Sequence, residues 1–348
     1  MQISLRADLS GGPKHLNDLL EELSAKDKVE FFGAYPKAQD LSKLLEKGTV
    51  DSINLPHRFF SFKKYLELFS FCKNKKIDII HSHGRGAGVY SRLLKFTGAK
   101  IIHTFHGIHH QKTVFGRLKI IMDRCLRFLT DRFIFVSPDE MEEGLSYKLA
   151  IPKKSRVILN GVDEQKIKIV SQQASNLSKS FSFPKNKIIV GLLGRITYQK
   201  GHDLLIEILN KNPHLFSEYF FVIAGRGEDD KKILNMIQKY QIKNVIMIGE
   251  TKTPYSFLNN IDIYLSTSRW EGLPLTVLEA LALNKPCLLS DVQGHRDVRE
   301  YVTLFDTEEP LQLLEGLKNV RKMNHFPEQF KRYKMAQSVL TTYINERY

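Results

Sequence analysis

Cysteine is scarce in this chain of 348 residues: Cys72, Cys125 and Cys287 stand far apart and form no CxxC pair. That excludes a disulfide framework and a cysteine-based zinc site, and it suits a reducing compartment. No run approaches the ~20 consecutive apolar residues that span a bilayer, so a membrane-spanning helix is not expected. The opening MQISLRADLSGG has no basic stretch followed by an apolar one. No secretory leader is read there, and a cytoplasmic location is expected. Acid is short as well, with 38 Asp and Glu against 52 Lys and Arg, a formal net charge of +14. Apolar residues are present in ordinary amount, 42%, which excludes disorder. The length exceeds what one hydrophobic core usually serves, so two domains are expected.

The charge excess is local. Residues 51–132 hold 16 Lys and Arg against 5 Asp and Glu, 11 of the 14 excess charges. Such a patch attracts nucleic acid, anionic lipid or phosphorylated ligands, and charge alone does not choose among them. Within it, His57–Lys76 interleaves aromatics with cations and Val114–Leu129 reads as a basic amphipathic helix. At helical spacing Phe62, Tyr65, Phe69 and Cys72, and likewise Val114, Leu118, Ile121 and Cys125, form stripes expected to face a core. Phe59, Phe60 and Phe71 lie off those stripes and leave room for contact with a membrane surface.

Short apolar runs alternate with amphipathic segments, the pattern of βα units and parallel sheets, so the fold class is α/β. Strands are expected at Ile3–Arg6, Val29–Phe32, Ile77–His81, Lys100–Thr104, Arg132–Val136 and Arg156–Leu159. A Ser-, Gln- and Lys-rich stretch, 169–186, reads as a linker. A second series follows, with strands at Ile188–Leu193, Tyr219–Ala224, Val245–Ile248, Ile261–Leu265 and Pro286–Ser290. The domains are accordingly drawn as 1–168 and 187–329, with a helix over about 330–348 at the end.

In open α/β sheets ligands bind beyond the carboxyl ends of strands. The first such loop is Ser10-Gly11-Gly12-Pro13, where a backbone without side chains approaches a ligand closely and a helix start offers free amides to an anion. The second series opens with Gly194, Arg195, Lys200 and Gly201, where a guanidinium and an ammonium flank a turn into a helix, a pairing suited to a diphosphate. Ala224-Gly225-Arg226-Gly227 forms a further glycine loop after the next strand. The densest signal is Glu271-Gly272-Leu273-Pro274 leading to Glu279, a carboxylate set among Val277, Leu278, Ala280 and Leu281. Burial there is costly without a polar partner, and sugar hydroxyls are good partners. Histidines cluster at 81, 83, 103, 106, 109 and 110. They read as cleft-lining hydrogen-bonding groups rather than a metal site, because no cysteine accompanies them and Asp78 falls in a strand pattern.

Taken in order, Gly11-Gly12, DIIHSH (78–83), HTFHG (103–107), ILNGVD (158–163), GRITYQKG (194–201), AGRG (224–227) and EGLPLTVLE (271–279) resemble the family 4 glycosyltransferases of the GT-B fold. The resemblance implies two Rossmann-like domains with the active site in the cleft between them and a C-terminal helix returning to the first domain. It implies retaining transfer from a nucleotide-diphosphate sugar, UDP foremost, of a hexose or N-acetylhexosamine to a saccharide or lipid-linked saccharide, in bacterial surface polysaccharide or lipopolysaccharide assembly. By it, Arg195 and Lys200 bind the donor diphosphate, Glu279 the ribose, and Glu271 with the backbone of Gly272 and Leu273 the donor sugar. Gly12 approaches the phosphates, His106 touches the transferred sugar, and Gly194 and Gly225 belong to the donor loops. No metal or other cofactor is implied, since cationic side chains serve instead. Asn284, Arg226 and Gln293 depart from the family pattern. A nucleotide-sugar epimerase or a glycan phosphorylase shares the fold and stands as an alternative. A nucleic-acid-binding protein is more remote, since it leaves Glu271 and Glu279 unexplained.

Overall fold

The computed structural model describes the chain except residues 9–10, 25–28, 38, 40, 109–113, 174–182, 252 and 348, and except the side chains of 114, 115, 173 and 310. It divides into two compact units, Met1–Gly161 with Gln329–Tyr348, and Val162–Glu328.

In the first unit the strands are β1 (Gln2–Ser4), β2 (Phe32–Tyr35), β3 (Asp51–Asn54), β4 (Ile79–His83), β5 (Lys100–Thr104), β6 (Arg132–Phe135) and β7 (Ser155–Val157). They form a parallel sheet in the order β3-β2-β1-β4-β5-β6-β7. The helices are α1 (Gly11–Ser24), α2 (Ser42–Lys47), α3 (Phe62–Asn74), α4 (Arg85–Leu93), α5 (Val114–Leu126), α6 (Pro138–Ser146) and, from the far end of the chain, α13 (Arg332–Arg347). Leu16, Leu19, Leu20 and Leu23 recur at helical spacing along α1 and meet Met335, Ala336, Val339 and Tyr343 of α13 in one core with Ile102 and Ile134. The strand order reverses between β1 and β4, which opens a crevice at their carboxyl ends.

The second unit holds α7 (Glu164–Gln173), β8 (Ile188–Leu193), α8 (His202–Lys211), β9 (Tyr219–Ala224), α9 (Asp230–Lys239), β10 (Val245–Gly249) and α10 (Pro254–Asn259). It continues with β11 (Ile263–Ser266), α11 (Leu275–Ala282), β12 (Cys287–Ser290), β13 (Thr303–Phe305) and α12 (Pro310–Lys318). Its parallel sheet runs β10-β9-β8-β11-β12-β13, reversing between β8 and β11. Both units thus have the doubly wound order in which sequential strands build outward from a central pair.

The strand expected at Val29–Phe32 runs instead over Phe32–Tyr35, the first unit closes at Gly161 rather than 168, and three further readings of the sequence change. The segment read as a linker from 169 begins inside α7, which packs on α10 and α11; buried Ile167 and Ser171 give that helix an inner face despite its polar composition. The stripe on α3 is only partly internal: Leu68 and Cys72 are buried, while Phe62 is exposed. On α5 the expected stripe is overturned. Leu118 and Ile121 are 55% and 53% exposed, and Cys125 is exposed. Val114 lies among the side chains that are not described. Gly116 and Asp123 face inward instead, because Asp123 is fully buried between Arg92 Nη1 at 3.0 Å and Arg85 Nε at 2.7 Å. A buried ion pair outranks a periodic apolar pattern in setting a helix's rotation, since an unpaired buried charge costs more than an exposed leucine. Among the described residues no helix is long and apolar enough to cross a membrane.

Candidate active site

Candidate site residues fall in both units. In the second, β8 ends at Leu193 and the chain turns through Gly194 and Arg195, whose exposed guanidinium has no side-chain partner among the described residues. Lys200 closes a short turn, Tyr198–Lys200, before α8 and sets Nζ 2.6 Å from Glu271 Oε1. Ser268 Oγ donates to that same oxygen at 2.7 Å, and Gln199 Nε2 donates to Oε2 at 3.4 Å. Burial favours a protonated Glu271, but Lys200, His295 and the hydrogen bonds from Lys200 and Ser268 outweigh it and hold the carboxyl below its ordinary range. A buried carboxylate is therefore kept charged and its orientation fixed.

Two glycines allow the loops around it to close on one another. Gly225 has φ 148°, and a Cβ there would stand 1.8 Å from Gly194 O. Gly294 has φ 81°, and its Cβ would stand 1.7 Å from Gly272 O. The Gln293 carbonyl accepts from the Glu271 amide at 3.2 Å, so the loop after β12 braces the loop after β11. Gly272, Leu273 and Pro274 lead directly into α11, with Pro274 at its N-cap rather than in its first turn. Glu279 lies within α11 at 3% exposure, as its apolar neighbours imply.

The sequence did not single out Ser268, Gln199 or His295. His295 is fully buried, donates from Nδ1 to Ser290 O at 2.9 Å, and has a buried Nε2 without a partner among the described residues. Arg269 was also unread: its guanidinium lies 4.0 Å from the Tyr198 ring centre and bonds Asp203 at 2.8 and 3.2 Å, joining the loops after β8 and β11.

In the first unit, Gly11 and Gly12 lie in the first turn of α1 rather than in a loop ahead of it. Their amides are among those a helix start leaves unbonded. Gly12 borders a cavity of about 590 Å³ beyond β1 and β4, lined also by Arg6, Arg58, Arg85, Lys119 and His106. Among the described residues four cations and no carboxylate line it, with Arg6 paired to Asp8 and Arg85 to Asp123 behind the lining. His106 adopts φ 59°, an uncommon conformation for a non-glycine residue, and Glu140 of α6 holds its turn by accepting from the amides of Gly107 and Val136. His83 Nδ1 lies 3.0 Å from His106 Nε2.

The histidine cluster does not line one cleft as a group. His83 and His106 border the cavity, whereas His81 and His103 are wholly buried. The alternation of side chains along a strand explains part of this, because His103 pairs in register with Ser82 and so faces opposite to His81 and His83. His109 and His110 lie outside the described residues. His15 joins instead, giving with His83 and His106 three ring nitrogens within 4.8 Å of one another. That donor set suits a divalent cation poorly. Two of the nitrogens share a hydrogen bond, and the cavity lining is cationic, which opposes a divalent cation there.

The sequence matches the family described as "Glycosyltransferase Family 4" over residues 9–166 and that described as "Glycosyl transferases group 1" over residues 173–337. It is 27% identical over 248 residues to the UDP-Gal:alpha-D-GlcNAc-diphosphoundecaprenol alpha-1,3-galactosyltransferase of Escherichia coli, a match spanning 67% of this chain and 62% of that protein. To the capsular polysaccharide biosynthesis glycosyltransferase CapH of Staphylococcus aureus it is 26% identical, over 86% of this chain and 83% of that one. Anabaena HepE, solved in complex with UDP and glucose, has the same fold, with a TM-score of 0.75 at 16% identity over 99% of this chain and 96% of that one. The chain belongs to the glycosyltransferases of the family 4 type, with the GT-B fold of two Rossmann-like domains.

Proposed function

We propose that the protein is a retaining, metal-independent glycosyltransferase. It moves a hexose or N-acetylhexosamine from a UDP-sugar to a hydroxyl of a lipid-linked saccharide, at the cytoplasmic face of a membrane, in assembly of a bacterial surface polysaccharide. The observation that carries this reading is the arrangement of Arg195, Lys200 and Glu271 at the carboxyl ends of β8 and β11. When the bond from the anomeric carbon to the β-phosphate oxygen breaks, negative charge collects on the departing diphosphate. Lys200, held by Glu271, and the exposed Arg195 beside it supply two cations to stabilise that charge, the task a metal performs elsewhere. The Lys200 ammonium has three donors, so it serves Glu271 and a phosphate at once. Glu271 is engaged by Lys200 and Ser268, which suits it to accept from sugar hydroxyls and not to attack carbon. Retention then follows from attack on the face the diphosphate leaves, with a phosphate oxygen taking the acceptor's proton. Glu279 receives the ribose hydroxyls.

The names of the two curated relatives, with a UDP-sugar donor and a diphosphoundecaprenol acceptor in one and capsule assembly in the other, support the donor and acceptor classes. So does the cation-lined cavity of the first unit, which suits an acceptor bearing phosphate. The outward apolar residues Leu118, Ile121 and Met122 of α5, beside Arg117, Lys119 and Arg124, suit the anionic surface in which such an acceptor resides.

Calorimetric titration with UDP, GDP and ADP, and transfer assays with and without EDTA, test the reading. UDP is expected to bind most tightly, and EDTA to leave the rate unchanged. Arg195→Ala is expected to fold normally and lower kcat by roughly 10²–10³, the usual cost of one transition-state donor. Wild-type turnover in that variant contradicts the assignment.

A further inference from the structure

A line of polar side chains runs through the interior of the first unit and ends at the cavity. His106 Nε2 and His83 Nδ1 are 3.0 Å apart, His83 Nε2 and Gln2 Oε1 2.9 Å, and Gln2 Nε2 and the Tyr343 hydroxyl 2.8 Å. The line continues from that hydroxyl to His81 Nδ1 at 2.7 Å and from His81 Nε2 to Thr104 Oγ1 at 2.8 Å. Burial holds His81, His83 and His106 neutral, so each ring carries a single N–H. From His106 through His83 to Gln2 the bonds must therefore point one way. A neutral imidazole or a hydroxyl relays either direction, whereas an amide has one accepting end and one donating end. Gln2 is the one amide in the line and sets its direction.

With Oε1 toward His83, Gln2 accepts from His83 Nε2–H. His83 Nδ1 is then an acceptor, and His106 donates to it from Nε2. Nδ1 of His106 is left without a proton, on a ring that lines the cavity and has no protein partner for that atom among the described residues. Reversal of the amide would reverse every bond and place an N–H there instead. The two cases select different substrate atoms, since a lone pair meets a hydroxyl and an N–H meets a phosphate or carbonyl oxygen.

We propose that Gln2, acting through His83, is a positioning residue that fixes the tautomer in which His106 offers Nδ1 as a hydrogen-bond acceptor to a substrate hydroxyl. This rests on the reading of the first-unit cavity as a substrate site. The tautomer is read in the wild-type protein by nitrogen NMR of ¹⁵N-labelled histidine, with His106→Gln identifying the signals; it needs no transfer activity. An unprotonated Nδ1 and a protonated Nε2 are expected for His106. The opposite assignment overturns the proposal, whatever the enzyme's activity. Two variants then connect tautomer to turnover. Gln2→Met is expected to scramble the tautomer and lower kcat about tenfold with donor KM little changed. Gln2→Glu in its ionised form presents only acceptors to His83, and is expected to keep both the tautomer and the rate. Transfer that survives Gln2→Met undiminished, or fails equally in Gln2→Glu, overturns the proposal while leaving the glycosyltransferase reading in place.

Discussion

Removing the Lys200 ammonium leaves the Glu271 carboxylate 8% exposed and short of its main counter-charge. Breaking one side of a buried ion pair costs about 3–5 kcal/mol. Lys200→Met is therefore expected to lower the melting temperature by several degrees, read by circular dichroism. Adding Glu271→Gln to it is expected to restore folding without restoring transfer, because the buried charge is gone but so is the proposed phosphate ligand. Gly294→Ala is a different kind of lesion. Its Cβ meets a backbone oxygen at φ 81°, so the loop that braces Glu271 must move as a whole. UDP affinity is expected to fall at least tenfold in titration, with the rest of the second unit intact. Unchanged affinity contradicts the bracing role.

At the scale of elements, Asp123 ties α5 to Arg85 and Arg92 of α4, and the outer face of α5 is apolar and basic. Asp123→Asn leaves Arg92 buried without a full counter-charge and is expected to cost about 3–5 kcal/mol in urea unfolding. Leu118→Ser with Ile121→Ser, both outward, is expected to leave stability within about 0.5 kcal/mol and to reduce binding to anionic liposomes at low salt. Equal binding by the double variant counts against α5 as the membrane face. The rotation of α5 was not legible in its sequence, because its inner face is defined by Arg85 and Arg92 some thirty residues away. Elements with strong local pattern were legible: Lys100–Thr104, Ile188–Leu193 and Tyr219–Ala224 fall where their apolar, β-branched residues put them. The edge strands Asp51–Asn54 and Thr303–Phe305 are short and weakly patterned, and were not read. In the site, Glu271 and Glu279 stand out within one contiguous segment. Gln2, Tyr343 and His295 do not, because each acts on a residue that only the fold brings near; Ser268 stands three positions before Glu271, but nothing in its residue type marks it as that carboxylate's donor.

Across the whole molecule the buried histidines dominate the response to pH. His15 is pushed down to about 4 by burial, against the bond to Asn160, and burial takes His81, His83, His103 and His106 well below their ordinary value. Below about 6.5 the unfolded chain takes up protons that the folded one refuses, so the stability is fully present above that pH and is lost as pH falls toward 4. The slope approaches about 1.4 kcal/mol per pH unit for each such residue. The midpoint of urea unfolding is expected to drop steeply between pH 6.5 and pH 5, and a flat profile over that range contradicts burial of neutral imidazoles. The same unit has one further property, set by α13. Its first strand and last helix are joined by a bond between residues 341 positions apart, with the contiguous second unit lying between them in the chain. A ribosome delivers the chain in one direction, at about 5–20 residues per second. The second unit can mature as soon as its own residues emerge, while the leucines of α1 must wait, exposed, for a partner helix made only after the whole second unit. A nascent chain can therefore complete the second unit while the first is still without α13.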